Sequence, residues 1–530
     1  MDLWTILLQI FVVGIFIYYY FNRKFSYWNE RGVKGPSPSI PFGNVLSFFR
    51  DGQVKIEKDW LQKYGKLYGN YQMTAPILTV IEPELIKQVL VKDFHIFVNR
   101  DKLLFDHEIF NHNLFNSEDE QWRRIRSITS PTFTSGKLRG MQMLMDRCVD
   151  KLANYFDRII DSPKNGCLNA KEVVTGFTID VIASTSFATE TNANGDLSSD
   201  NIFVEHGTEL MDFKAWRILA FFALPIKVNR WLDNSLGFSD WRFNFFVNLS
   251  RTIIHQRKNG KNKRNDLIQL LMDSFVYENQ LKGNNYESLT ASADHDMKEA
   301  ENVPVENTNP SSNNTSDKRT LTENEIIAQC IIFFIAGFET TATTISNVFY
   351  YLAINPDIQD RLCEELQILN EMDVNSREYF DKVNSELPYL DAIIKETLRL
   401  NPPLTRLQRR VGIHGYKLGG IPLDKDIEIN IPTYALHHCE DFYPEPDRFN
   451  PERFMPENKH LLIPYTYLPF GGGPRNCVGM RFAYQEIKLC LAKIVRSYQF
   501  DKTSETKIPL EYSKIALLTC KNIPLKVSRR

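Results

Sequence analysis

Phe470-Gly471-Gly472-Gly473-Pro474-Arg475-Asn476-Cys477-Val478-Gly479 sets one cysteine in a glycine-rich loop, two residues after an arginine and just ahead of a helical pattern. A loop this poor in side chains lets a large flat group approach the backbone around the sulfur, and glycine tolerates the dihedrals that such a path needs. A free thiol titrates near ~8.5, so Cys477 needs a metal or a cation beside it to be a thiolate at neutral pH. Arg475 has the planar fork that pairs with a carboxylate. Taken alone, Cys477 reads equally well as an ordinary buried cysteine, and the rest of the chain has to decide.

Three other stretches carry unusual residue combinations. Ile331 to Thr341 lies in a long helical pattern over 322–354, where Ala336-Gly337 makes a dent and Glu339-Thr340 follows. Thr340 can bond back to the carbonyl four residues earlier or offer its hydroxyl to a neighbouring ligand. By itself that stretch is a packing notch. Lys395-Glu396-Thr397-Leu398-Arg399 puts a carboxylate and a guanidinium three apart on one helical face, a pair worth little at a surface. Pro451-Glu452-Arg453-Phe454 supplies a later arginine. Trp122-Arg123-Arg124-Ile125-Arg126 follows Glu118-Asp119-Glu120 and brings Trp122 and Arg126 onto one face, and Arg409 follows Pro402-Pro403-Leu404.

The pattern Phe-x-x-Gly-x-Arg-x-Cys-x-Gly resembles the haem-thiolate loop of the cytochromes P-450, and the other motifs follow in that family's order from Trp122 to Cys477. Ser130-Pro131-Thr132-Phe133-Thr134-Ser135-Gly136-Lys137-Leu138 looks closest to the microsomal branch that contains the drug-oxidising family 3 enzymes and thromboxane synthase. The resemblance implies a mainly α fold with small β-sheets, running from the proline-rich hinge to the C-terminus. It implies haem b with Cys477 as axial iron ligand, and a thiolate there favours O–O cleavage. Arg475, Trp122, Arg126 and Arg409 would then reach haem propionates, with Phe470, Ala336 and Gly479 bordering the haem. Thr340 and Glu339 would deliver protons, because two must reach the oxygen before water leaves. Glu396, Arg399 and Arg453 would form a buried structural network.

Composition bounds the rest. The chain has 530 residues, 43% hydrophobic, and a net charge of −2, which supports a large core and gives no sign of nucleic-acid binding. Its eight cysteines show no C-x-x-C pair, which argues against a zinc site or disulfide framework and fits a reducing compartment. His437-His438 reads as loop surface. Residues 3–21 are almost wholly apolar and, as a helix, match a bilayer core. Arg23, Lys24, Arg31 and Lys34 all follow that run, which places the main body in the cytosol. The expected organisation is a transmembrane signal-anchor at 3–21, a basic and proline-rich hinge at 22–48, and a catalytic domain at 49–530. Within that domain, 282–319 reads as a disordered polar insert. Sequons at Asn248 and at Asn313-Asn314 would stay unmodified in a cytosolic domain. The apolar stretch Leu210–Ala223 reads as a core helix or as a lid dipping into the membrane.

The expected function is a microsomal monooxygenase in the endoplasmic reticulum membrane. It would place one oxygen atom of O2 into a lipophilic compound, with electrons from NADPH through a flavoprotein reductase and cytochrome b5 as an auxiliary. Arg123, Arg124, Lys137, Arg139, Arg481 and Lys488 would suit that acidic partner. Phe105, Phe110, Phe115, Leu404, Thr405 and Leu517 would line the substrate pocket. A peroxide-rearranging isomerase is the alternative within the fold, disfavoured by Glu339-Thr340. A non-catalytic haem or lipid carrier is a third reading.

Overall fold

Thr322 starts the longest buried element. Its Oγ1 accepts from Glu325 N–H at 3.3 Å while the Glu325 carboxylate accepts from Thr322 N–H at 2.9 Å, a reciprocal cap on the helix Glu323–Ile354. That helix runs unbroken for 32 residues through the middle of the main apolar core. The helix Ala170–Ser186 packs closely along it. Thr178 Oγ1 donates to Phe338 O at 3.0 Å, and a Cβ on Gly337 would come within 2.9 Å of Ile182. Gly337 is therefore glycine because a neighbouring helix fills the dent.

The computed structural model describes residues 3–101, 107–193, 201–211, 240–260, 264–277, 318–514 and 517–530, with 228, 286 and 289 between them. It is mainly α with small sheets, as expected. A hairpin forms from strands Leu67–Gln72 and Ala75–Val80, paired antiparallel. Strand Glu428–Ile431 runs parallel to the second of these, and strand Leu407–Arg410 closes the four-stranded sheet. The strand Leu407–Arg410 carries Arg409, so this sheet sets one wall of the site. Helix Asp119–Thr129 carries Trp122 and Arg126, helix Pro388–Leu400 carries Glu396 and Arg399, and helix Met480–Ser497 begins just after the cysteine loop.

The N-terminal helix Leu3–Phe25 is longer than the apolar run that predicts it, and its outer turns are exposed. It is long and apolar enough to cross a membrane, as is the buried helix Glu323–Ile354. The hinge residues do not stand clear of the body. Trp28 Nε1 donates to Asn70 O at 3.0 Å, Gly69 N–H to Lys34 O at 2.9 Å, and Tyr71 OH to Phe25 O at 2.8 Å. A Cβ on Gly35 would strike Gly69 O at 1.8 Å, so both glycines are there to let the connector lie on the hairpin.

Helices Ser135–Arg139 and Gln142–Ile160 follow one another with a break at Gly140-Met141. Of the polar insert 282–319, only 286, 289, 318 and 319 are described. Lys318 and Arg319 pair with Phe275–Tyr277, and Tyr286 and Leu289 pack on the core. The rest of 282–319, the sequon at Asn313-Asn314 and most of Leu210–Ala223 lie outside the described residues. The Asn248 sequon sits inside the helix Asp240–Lys258 with Ser250 fully buried.

Candidate functional site

Gly471 and Gly473 have φ of 74° and 67°, the left-handed region that glycine enters freely. A Cβ on Gly473 would meet Leu90 O at 1.9 Å. Cys477 N–H donates to Phe470 O at 2.8 Å, which closes the loop, and Phe470 packs on Tyr484. Gly479 caps the helix Met480–Ser497, and its N–H donates to the Cys477 sulfur. Burial pushes the Cys477 thiol up, opposed by that N–H and by the cations of Arg126 and Arg100. The residue is accessible yet ringed by protein, so it opens on an internal space and not on the outer surface.

Four arginines converge around this loop. Arg475 is buried, donates to Ser117 O at 2.7 Å and lies 4.4 Å over the Trp122 ring. Arg126 donates to Asn476 O at 2.9 Å and to Asn476 Oδ1 at 2.6 Å. Arg409 donates to Gln408 O at 2.8 Å. Arg100, which the sequence motifs did not single out, donates to Arg475 O. Among the described residues none of the four forms an ion pair with a carboxylate, and the Nε atoms of Arg100, Arg409 and Arg475 are buried without a partner. Burial lowers Arg100 and Arg126 to about 10 and holds Arg409 and Arg475 well below the usual range. A cluster of buried cations beside a thiol is a donor set for a planar cofactor carrying anionic groups, so the residues fit haem.

On the long helix Ala336 is accessible amid buried neighbours, and Thr340 Oγ1 donates to Ala336 O at 2.6 Å. Glu339 is not free. Its Oε1 lies 3.0 Å from Lys171 Nζ, which also donates to Thr343 Oγ1 at 3.1 Å. Burial lowers the Lys171 ammonium, and Glu339 opposes that. Lys171 was not anticipated, because nothing in its local sequence marks it.

The expected pocket residues divide. Leu404 is 45% exposed, in a β-bridge with Leu517. Phe115 lies under Arg100, with 5.0 Å from the guanidinium to its ring. Phe110 is fully buried against Phe243, and Thr405 is buried with its carbonyl accepting from Tyr434 N–H at 3.0 Å. Phe105 lies outside the described residues.

The third cluster is closed on itself. Arg399 Nε and NH2 donate to the Glu396 carboxylate at 2.7 and 2.9 Å, both side chains 0% exposed. Arg453 Nε stands 3.4 Å from the same carboxylate. His437 corrects the surface reading: it is fully buried, its Nδ1–H bonding Arg399 O at 3.1 Å and its Nε2 accepting from Leu468 N–H at 2.9 Å. Burial and Arg399 hold it well below the ordinary histidine range, hence neutral. His438 is buried too. Lys488, expected as a partner-facing cation, is buried and bonded to Asp391 at 2.9 Å and to Asn384 O at 2.8 Å.

The cytochrome P450 family model matches residues 33–528. Cytochrome P450 3A41 of Mus musculus is 35% identical over 100% of this chain and 97% of its own. Cytochrome P450 3A11 of Mus musculus is 36% identical over 97% and 95%, and cytochrome P450 3A2 of Rattus norvegicus 34% over 100% and 97%.

Proposed function

Because the chain belongs to the cytochrome P450 family and is a haem-b monooxygenase, we propose that Cys477 would bind the haem iron as a thiolate and that Arg100, Arg126, Arg409 and Arg475 would hold the propionates. The observation that carries this is a sulfur receiving the Gly479 N–H amid buried Arg126, Arg409 and Arg475 and half-buried Arg100, with no carboxylate of their own among the described residues. When bound, haem supplies dioxygen activation and transfer of one oxygen atom to the substrate. Trp122 braces Arg475, and Asn476 braces Arg126, so both guanidinium groups are pre-oriented and lose little freedom on binding an anion.

Thr340 gives its proton to Ala336 O at rest, which leaves its oxygen to accept from a water or a reacting group. Rotation about χ1 redirects that proton, and Glu339 would join a relay only on leaving its ion pair with Lys171. Leu404, Leu517 and Phe115 offer an apolar surface suited to a lipophilic compound. Electrons would come from NADPH through a flavoprotein reductase, with cytochrome b5 as auxiliary. Exposed Lys137 and Arg139 suit an acidic partner. The helix Leu3–Phe25 would anchor the protein in the endoplasmic reticulum as a single pass.

The test is the carbon monoxide difference spectrum of the reduced protein, with Cys477→Ser beside it. A red-shifted Soret band in the wild type, lost in the variant, is expected. A wild-type band at the position of histidine-ligated haem would overturn the thiolate assignment.

A further inference from the structure

The sheet that bears Arg409 has a second, unexpected face. Cross-strand partners share a face, and the register Tyr68–Thr79–Asn430–Gln408 crosses all four strands in one row. Asn70, Glu428 and Arg410 lie in the adjoining row on the same side. Tyr68, Asn70, Thr79, Asn430 and Glu428 are all buried. The helix Gln53–Tyr64 adds Glu57, which accepts from Gln53 Nε2 at 3.2 Å and from Asn430 Nδ2 at 3.4 Å. A buried sheet face is ordinarily apolar, so this polar seam needs a reason.

One end of the seam reaches the arginine cluster. Glu428 accepts from Gln408 Nε2 at 2.7 Å and is in hydrogen-bond contact with the carboxyl of Asp101. Two carboxyl groups can make that contact only with a proton between them. Asp101 directly follows Arg100, whose guanidinium donates to Arg475 O in the cysteine loop. Backbone bonds lay the same segment along the sheet edge, from Arg410 N–H to Asn99 O and from Gly412 N–H to Ile96 O, both 2.9 Å.

We infer that Glu428 is a positioning residue for Arg100: the proton it shares with Asp101 clasps this segment to the sheet, and loss of that proton loosens Arg100 from the cysteine loop. The inference rests on reading Arg100 as one of the arginines that hold the haem propionates. Burial raises Glu428 above the ordinary carboxylate range, and Asp101 raises it further; Arg406 and Gln408 pull the other way and lose. The remaining charges facing the pair are Arg410, which stands 3.6 Å from Asp101, 4.0 Å from Asp426 and in contact with Glu118, and Glu57 on the packed helix. A carboxyl raised in the fold is protonated at low pH, so the clasp is closed there. It opens as pH rises through the folded-state titration.

The experiment measures haem transfer from full-length, haem-loaded protein to excess apomyoglobin between about pH 5 and 9. The wild type should release haem about tenfold faster at the alkaline end, the scale of one charge-assisted hydrogen bond. Glu428→Gln donates an amide hydrogen to Asp101 at every pH and should give slow, flat release. Asp101→Asn should flatten the profile likewise, while Glu428→Ala should release haem fast throughout. Glu57→Gln removes the other seam acid, which burial raises to about 7, and should keep the wild-type profile. A wild-type profile in Glu428→Gln, or a flat one in Glu57→Gln, overturns the clasp. The carbon monoxide difference spectrum of the same samples separates the two failures. A thiolate band with an unmoved pH profile defeats the clasp alone, whereas absence of that band defeats the haem-thiolate reading beneath it.

Discussion

The molecule buries two clusters of arginine, and they are built in opposite ways. In the first, Arg399 and Arg453 meet the Glu396 carboxylate, and His437 bonds the Arg399 carbonyl. Burial alone would lower Arg399, yet Glu396 more than reverses it and the guanidinium ends above its ordinary value. In the second, Arg100, Arg126, Arg409 and Arg475 face each other and Cys477 with backbone carbonyls and an amide for company, and all four end below theirs. A buried cation without a counter-ion is costly. The first cluster has its counter-ion within the chain, in Glu396, although burial still leaves Arg453 below its ordinary value. The second is complete only when something anionic arrives, which is what distinguishes a binding site from a brace.

The largest effect should come from breaking the complete cluster. Glu396→Ala leaves Arg399 buried and unpaired and should cost about 3–5 kcal/mol, read by chemical denaturation. Replacing Glu396, Arg399 and Arg453 together by Leu, Met and Met should recover most of that loss, since no charge is then stranded. A single variant as stable as the wild type would erase the distinction between the clusters. Next comes the incomplete cluster, where the expected pattern differs by state. Arg126→Met should speed haem release about tenfold, the scale of a charge-assisted hydrogen bond. It should not lower the melting temperature of the haem-free protein, because the relief of an unpaired buried charge offsets the bonds to Asn476. A haem-free variant that melts well below the wild type would mean that Arg126 is a brace after all.

How much of this was legible in the sequence follows from how local each feature is. The Cys477 loop, the Glu396–Arg399 pair and the Trp122–Arg126 pair are set by spacings within a few residues; in the structure Glu396 meets Arg399, Trp122 lies under Arg475 and Arg126 bonds Asn476 beside Cys477. Arg100 was not singled out because its role comes from a segment laid along a sheet edge by bonds to Asn99 and Ile96 carbonyls, which no spacing encodes. His437-His438 and Lys488 were misread for the same reason: polar neighbours in sequence disguised burial that only tertiary packing creates. Within the insert, contacts of Tyr286 with Phe94 and Trp122 and of the Leu289 carbonyl with Arg126 join residues far apart in the chain, which no local composition encodes.

The smallest effect should come from an exposed cluster that looks as well bonded as the first. Arg529 donates to Asp157 at 2.8 Å and to both oxygens of Asp161 at 2.8 Å, a geometry on paper equal to that of Arg399 with Glu396. Its side chain is 47% exposed, so water competes for every one of those bonds and salt screens the charges. Arg529→Ala should therefore leave the melting temperature within measurement error and make no difference to haem release. Adding salt should not separate variant from wild type either. If Arg529→Ala instead approached the loss seen in Glu396→Ala, bond count and not burial would be setting the energy, and the contrast between the two buried clusters would need another cause.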